Sequence, residues 1–133
     1  MNGETDLQKL IRSMRPALDP VPYGYASRAG DGTGPLPGGL FARIVEAEGE
    51  TLVAPMTELA ALGLAAEGPL ARITLTVHSS LAAVGLTAAF ATALGREGIS
   101  ANVVAGFYHD HIFVQWDRAG DAMACLIALA AGA

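Results

Sequence analysis

The second half of the chain shows two different periods of hydrophobic and polar residues. Short runs rich in β-branched and apolar residues predict strands over 72–78, 101–108 and 111–116. Apolar residues at helical spacing, such as Leu86, Phe90 and Leu94, predict helices over about 81–95 and 118–130. The resulting order, β-α-β-β-α, predicts an α+β protein of the ferredoxin-like type.

The first half carries the same kinds of pattern in shorter segments. An amphipathic helix is predicted over 4–15, and strands are predicted over 22–27 and 40–47. The second of these strands opens a hairpin with Glu48-Gly49 as its turn. A short helix follows and stops at Gly63.

A Gly-Pro pair within 65–70 marks the predicted boundary between the halves. We therefore expect an N-terminal half over 1–66 and a C-terminal domain over 67–133. The C-terminal pattern ends on a helix, whereas a complete unit of this type ends on a fourth strand. A strand of the first half or of a second subunit is expected to fill that edge of the sheet.

Composition excludes several classes of function. The 133 residues are 52% hydrophobic, enough for one real core, and the net charge is −5 with only 8 Lys and Arg. Those basic residues are scattered, which excludes nucleic acid and anionic membranes as partners.

The uncharged stretch 73–95 combines a strand, a turn and a helix, so it does not predict a membrane helix. The single Cys125 and the polar start of the chain predict a cytoplasmic protein without disulfides.

Two of the three histidines lie in the segment GFYHDHIFVQ at 106–115. In a split β-α-β unit the third strand runs antiparallel beside the first, so the end of one lies next to the start of the other. This topology brings His78 close to His111. Alternation places the aliphatic sets on one face and the polar sets on the other. The aliphatic sets are Ile73, Leu75 and Val77 with Ile112, Val114 and Trp116, and the polar sets are Thr74, Thr76 and His78 with His111, Phe113 and Gln115. As direct neighbours, His78 and His111 would have Cβ atoms about 4.5–5.5 Å apart.

This arrangement leaves three interpretations open. The two imidazoles could bind a metal together with His109 or Asp110. The His-Asp-His segment could instead be a polar hairpin turn in solvent. The third interpretation is a pocket for an organic ligand, in which neutral imidazoles exchange hydrogen bonds with an amino or carboxylate group. Ser79 or Ser80 could cap the following helix, whose amino end attracts an anion. Gly85 inside that helix costs about 0.5–1 kcal/mol relative to Ala, which predicts a close approach of backbone, ligand or partner there.

The segment from Thr74 to Val114, TLTVHSSLAAVGLTAAFATALGREGISANVVAGFYHDHIFV, resembles the ACT-domain pattern. Gly85 matches the glycine that opens the first helix, and Gly98, Ile99 and Asn102 match the turn that leads to the next strand. The whole chain resembles small bacterial proteins with tandem ACT-like domains, akin to amino-acid-sensing ACT modules. The resemblance implies two ACT-like halves of βαββαβ type, association of subunits, and allosteric amino-acid binding at the loop between the first strand and helix. By position it implies these ligand-binding residues: His78, Ser79, Ser80, Leu81, Val84, Gly85, Leu86 and Asn102.

We therefore expect a non-enzymatic regulatory module that binds a small molecule, an amino acid in the first instance, and that needs no cofactor. His109 and His111 are expected to form the rim of its pocket. A homodimer is expected because the helix over 81–95 is uncharged and the sheet lacks an edge strand. The alternatives are a metal-binding protein or metal-dependent enzyme using His78, His109 and His111, and a purely structural interaction protein.

Overall fold

The computed structural model describes residues 3–30, 32–76 and 84–132, without the side chains of 3–6 and 84. Its elements in chain order are α1 (Gly3–Ser13), β1 (Pro16–Leu18), β2 (Tyr23–Arg28), β3 (Ala42–Glu46), β4 (Gly49–Pro55), α2 (Met56–Ala61), β5 (Glu67–Leu75), α3 (Val84–Arg96), β6 (Asn102–Ala105), β7 (Asp110–Gln115), a single 3-10 turn (Trp116–Arg118) and α4 (Ala119–Ala131). Within these residues, no helix is both long and apolar enough to span a membrane.

The chain divides into two compact units. Unit 1 comprises Met1–Asp19 and Ala71–Ala133, and unit 2 comprises Pro20–Leu70. Strand β5 contributes its first four residues to unit 2 and its last five to unit 1. The expected division into ACT-like halves over 1–66 and 67–133 stays a prediction. The compact units do not test it, because unit 1 combines residues from both ends of the chain.

Unit 1 contains a sheet in the order β1-β5-β7-β6. Strand β1 runs antiparallel to β5, with Pro16 opposite Leu75 and Leu18 opposite Ile73. Strands β6 and β7 form an antiparallel hairpin. The edge strand missing from the C-terminal pattern is therefore supplied by the N-terminal part of the same chain, which was the first of the two expected sources.

The core of unit 1 lies between this sheet and helices α1, α3 and α4. Ile73 and Leu75 of β5 and Ile112 and Val114 of β7 are fully buried in it, as predicted for the described members of the aliphatic sets. The predicted helical stripe also faces this core: Leu86, Phe90 and Leu94. Each such side chain contributes about 1.5–3 kcal/mol to folding through loss of apolar contact with water.

Several predicted boundaries in unit 1 need correction. Trp116 was assigned to the aliphatic face of a strand, but it begins the 3-10 turn and is 40% exposed. Strand β5 starts at Glu67 rather than at residue 72 and ends at Leu75, whereas Val77 and His78 of the predicted strand lie outside the described residues. The strand predicted over 101–108 ends at Ala105, because the next four residues form the hairpin loop.

Unit 2 has the strand order β3-β4-β2-β5, in which β2 is antiparallel to both of its neighbours and β3 is antiparallel to β4. Helix α2 covers one face of it, where Ala26, Leu52, Ala54 and Leu59 are buried. The described residues between β2 and β3 form a loop and no helix. This segment has several glycines together with Pro35 and Pro37, which disfavour a helix.

An ionic cluster around the buried Glu50 joins three strands of unit 2. Glu50 of β4 is only 2% exposed, and its carboxylate accepts hydrogen bonds from Nε of Arg28 on β2 and Nε of Arg43 on β3, the latter at 2.5 Å. Arg28 Nη1 also donates to the carbonyl oxygen of Pro35 at 2.5 Å. We call Glu50, Arg28 and Arg43 the Glu50 cluster. It fastens the loop after β2 to the sheet.

Candidate functional site

His111 lies on the sheet face of unit 1 that points away from the helices. Its neighbour Ile112 is buried under those helices, and successive residues of a strand point to opposite faces. The Nδ1 atom of His111 lies 2.9 Å from Oγ1 of Thr74 on β5, within hydrogen-bond distance. The prediction that Thr74 and His111 share the polar face is therefore confirmed.

The charge state of His111 follows from its surroundings. Burial lowers the pKa of this imidazole, and electrostatic interactions with Arg72 and then with His109 lower it further. A neutral imidazole at pH 7 presents one donor and one acceptor, and the bond to Thr74 uses one of its two nitrogens. The ring is thus held in place as a hydrogen-bonding group.

Four predicted site residues, His78, Ser79, Ser80 and Leu81, lie outside the described residues. The observed partner of His111 is Thr74, four positions before His78 in the chain. The direct cross-strand pairing of His78 with His111 therefore stays a prediction. Val84 begins α3, and its side chain also lies outside the described set.

Gly85 and Leu86 have packing roles in the first turn of α3. A Cβ atom at position 85 would lie 2.7 Å from Cδ2 of Leu7, so the glycine allows α1 to approach α3 closely. Leu86 is 1% exposed and contributes to the core of unit 1. The close approach that a helical glycine predicted is thus made by α1, whereas ligand contact at these two positions stays a prediction.

The His-Asp-His segment closes the β6–β7 hairpin. The N–H of Gly106 donates to the carbonyl oxygen of His109 at 2.9 Å, and the loop tip exposes Phe107 (76%) and Tyr108 (65%). These two rings contact each other edge to face, with centroids 5.0 Å apart. Burial raises the pKa of Asp110, which is the first residue of β7. The turn therefore combines two exposed aromatic rings with partly buried polar groups.

Asn102 has a structural contact within the same hairpin. Its Nδ2 donates to the carbonyl oxygen of Phe113 at 3.2 Å, and the two residues are opposite each other in the strand pairing. This bond stabilises the start of β6. A role of Asn102 in ligand binding stays a prediction.

Neither a metal centre nor a reactive thiol is formed by the described residues. No three His, Cys, Asp or Glu side chains among them are placed to hold a metal ion, and His78 lies outside that set. Burial raises the pKa of the Cys125 thiol, and Glu97 raises it further. A protonated thiol is a poor nucleophile. Metal binding that includes His78 stays a prediction.

A concave site lies in unit 2, and it was not predicted from the sequence. It is an open groove of about 500 Å³ lined by Tyr25, Ala26, Ser27, Thr51, Ala65, Ala66 and Glu67. We call it the β2 groove. Its residues come from β2, β4 and the start of β5 with the segment before it, so no local motif could have indicated it. On the polar face of unit 1, by contrast, the alternation of side chains along the predicted strands did place Thr74 on the same face as His111.

Comparisons with known proteins identify the family of this chain. Two sequence-family models, both described as ACT domain, match residues 2–71 and residues 71–128. No curated protein sequence matches.

Solved structures show the same architecture. A protein of unknown function from Vibrio cholerae, described as a possible transport protein, is 43% identical over 97% of this chain and 99% of that chain, with a TM-score of 0.85. A protein from Agrobacterium tumefaciens is 18% identical over 83% of this chain and 84% of that chain, with a TM-score of 0.70. The regulatory subunit of aspartate kinase from Thermus flavus is 10% identical over 88% of this chain and 98% of that chain, with a TM-score of 0.60, and indicates the fold alone. With ACT matches over both halves of the sequence, the chain belongs to the ACT domain family and carries two ACT domains in tandem.

Proposed function

We propose that this protein is a non-enzymatic regulatory module that binds a small molecule, an amino acid in the first instance, on the polar face of unit 1. ACT domains are typically regulatory ligand-binding modules of amino-acid metabolism. The observation that carries the proposal is the half-buried His111, which is hydrogen bonded to Thr74 on the strand that leads into the predicted ligand loop. The single Cys125 and the scarcity of basic residues suit a location in the cytoplasm and a ligand other than nucleic acid or membrane.

The chemistry of this face suits an α-amino acid. A neutral His111 can accept from an ammonium group or donate to a carboxylate. Arg72, whose charge acts on His111, adds positive potential for a carboxylate, although it also lies 3.7 Å from Asp19. In the proposal, His78, Ser79, Ser80 and the first turn of α3 complete the pocket, with His109 at its rim.

The proposal predicts that one of the common amino acids stabilises the protein against heat. At 100 times its dissociation constant, a ligand specific for the folded state adds about 2.7 kcal/mol to the free energy of unfolding. His78→Ala should weaken that ligand at least tenfold while leaving the unliganded unfolding temperature within a few degrees. Isothermal titration calorimetry and thermal unfolding measure both quantities.

Glu48→Gln is the control, because Glu48 is exposed at the β3–β4 turn of unit 2 and is not among the predicted ligand-binding residues. It should bind the ligand as the parent protein does. Undiminished affinity of the His78→Ala variant would refute the assignment. Stabilisation only by divalent metals, abolished by a chelator, would replace the proposal with metal binding by His78, His109 and His111.

We also propose that the protein is a homodimer. ACT domains commonly oligomerise. Since β1 fills the missing edge of the unit 1 sheet, the remaining basis is the outer surface of α3, where Thr87, Ala88 and Thr92 are exposed without a charge. Multi-angle light scattering should therefore give about twice the chain mass of 13.6 kDa.

Ala88→Arg would place a charge on that surface and should shift the dimer to monomer. Glu48→Lys, at the exposed β3–β4 turn, should leave the mass unchanged. A monomeric parent protein would contradict the dimer.

A further inference from the structure

The β2 groove exists because β2 has two strand partners over only part of its length. It pairs with β4 along all six residues, Tyr23 to Arg28, but with β5 only at Tyr23 and Tyr25. Beyond Tyr25, the side of β2 that faces β5 has no strand partner among the described residues. Backbone N–H and C=O groups of that edge are available to a ligand.

One end of the groove is closed by tight backbone packing. A Cβ atom at Gly24 would lie 2.4 Å from Sδ of Met56. It would also lie 3.1 Å from Cβ of Ala66 and 3.2 Å from the carbonyl oxygen of Glu67. The absence of a side chain at Gly24 thus makes room for Met56 and lets Ala66 and the start of β5 lie directly against β2. The groove opens past this contact, between Ala26 and Ser27 on one side and Ala65 on the other.

The polar lining consists of oxygen atoms, with one negative charge. Tyr25, Ser27 and Thr51 contribute hydroxyl groups, of which that of Thr51 also donates a hydrogen bond to the Glu46 carboxylate. Among the described lining residues, Glu67 alone contributes a carboxylate. Ser27 and Thr51 are direct cross-strand neighbours, so their hydroxyl groups lie on the same face. No Lys or Arg is among the described lining residues, and the Glu67 carboxylate makes no ion pair with a described side chain.

This set of acceptors suits a primary ammonium group. Such a group has three donors in a tetrahedral arrangement, which hydroxyl and carboxylate oxygens from separate strands can accept. The methyl groups of Ala65 and Ala66 offer a short apolar surface for the alkyl part of such a ligand.

We propose that the β2 groove is a second binding site, which takes a small molecule carrying a primary ammonium group on an alkyl chain. It lies in unit 2 and uses none of the residues of the proposed amino-acid site in unit 1. A volume of about 500 Å³ is in the usual range for small-molecule sites.

The test is a titration of the full chain with pentylammonium chloride, followed by two-dimensional NMR. Amide signals of Tyr25, Ser27, Thr51 and Glu67 should shift in a saturable manner at millimolar concentration. Glu67→Gln keeps the size of the side chain but removes its charge, and should weaken binding about three- to fivefold, as for a solvent-accessible ion pair. Binding should also weaken as salt is added.

Two controls separate binding in the groove from non-specific effects of the amine. The uncharged 1-pentanol should shift these signals less, and Glu48→Gln, at an exposed position outside the groove, should bind pentylammonium normally. The His78→Ala variant should retain the groove response even where its amino-acid affinity falls, so the two proposals can fail separately. Equal responses to the amine and the alcohol, or equal affinity of the Glu67→Gln variant, would overturn the proposal.

Discussion

Replacing Phe90 by Ala should lower the free energy of unfolding by about 3–5 kcal/mol. Phe90 is 0% exposed and lies in the centre of the unit 1 core, where α3 packs against the sheet. The substitution removes a whole ring, and close-packed neighbours can collapse only partly into the cavity. Urea unfolding followed by circular dichroism, with the slope and the midpoint fitted separately, measures the loss.

Gln8→Ala on α1 serves as the control. Gln8 is exposed, so its replacement should change the free energy of unfolding by no more than about 0.5 kcal/mol. The expected difference between the two variants comes mainly from burial, because both shorten a helical side chain of unit 1 to Ala. A loss below about 1 kcal/mol for Phe90→Ala would contradict the placement of this face of α3 in the core.

Periodicity predicted the core of unit 1 well because that core is built from simple repeats. The alternation in β5 and β7 separated Ile73 and Ile112, which are buried under the helices, from Thr74 and His111 on the other face. The apolar stripe of α3, which comprises Leu86, Phe90 and Leu94, was equally clear in the sequence because polar or small residues separate these three positions. In each case, a strand or helix buries one face of apolar residues in a single core. Such a face repeats every second residue in a strand and every three to four residues in a helix, so it can be read from the sequence.

Strand β1 could not be predicted in the same way. It contains only three residues, Pro16–Leu18, too few to show a period. Its partner β5 is more than 50 positions away in sequence, with Pro16 opposite Leu75. Pairing over such a separation is decided by tertiary packing, and local propensity carries little information about it.

The candidate sites show a similar limit. Alternation placed His111 on the correct face, but the partner that the structure provides is Thr74, and register is not determined by alternation alone. The cost of Gly85 in a helix correctly predicted a close approach, yet the neighbour is Leu7 of α1, which no local signal identifies. The β2 groove depends on where β2 and β5 separate, which is a property of three-dimensional pairing.

The Glu50 cluster could not be predicted from the sequence either, because its three residues lie on three different strands and meet only in the folded sheet. Arg28 and Arg43 both donate to a carboxylate that is almost completely removed from solvent. Hydrogen bonds from Arg28, and then from Arg43, lower the pKa of Glu50, and the charges of both guanidinium groups act in the same direction, whereas burial opposes them. The ionised carboxylate is therefore the form that the folded state prefers.

Glu50→Gln should strongly destabilise unit 2 at neutral pH. The amide has no charge to offset the two guanidinium groups, which then repel each other, and removing one partner of a buried ionic cluster leaves the others uncompensated. The change should appear as a clear fall in the urea midpoint. Glu48→Gln, two residues earlier at the exposed turn, should leave the midpoint nearly unchanged.

The effect of Glu50→Gln should depend on pH in a defined direction. Because the pKa of Glu50 is lower in the folded than in the unfolded state, its ionised form stabilises the protein fully above the unfolded pKa of about 4.3. That contribution is lost as the pH falls through the folded pKa. The difference between the parent protein and the variant should thus be constant from pH 7 to about pH 5 and shrink at lower pH. A difference that stays the same down to the acid unfolding of the parent protein would show that Glu50 acts through its shape, and that its charge contributes nothing to holding the loop after β2 against the sheet.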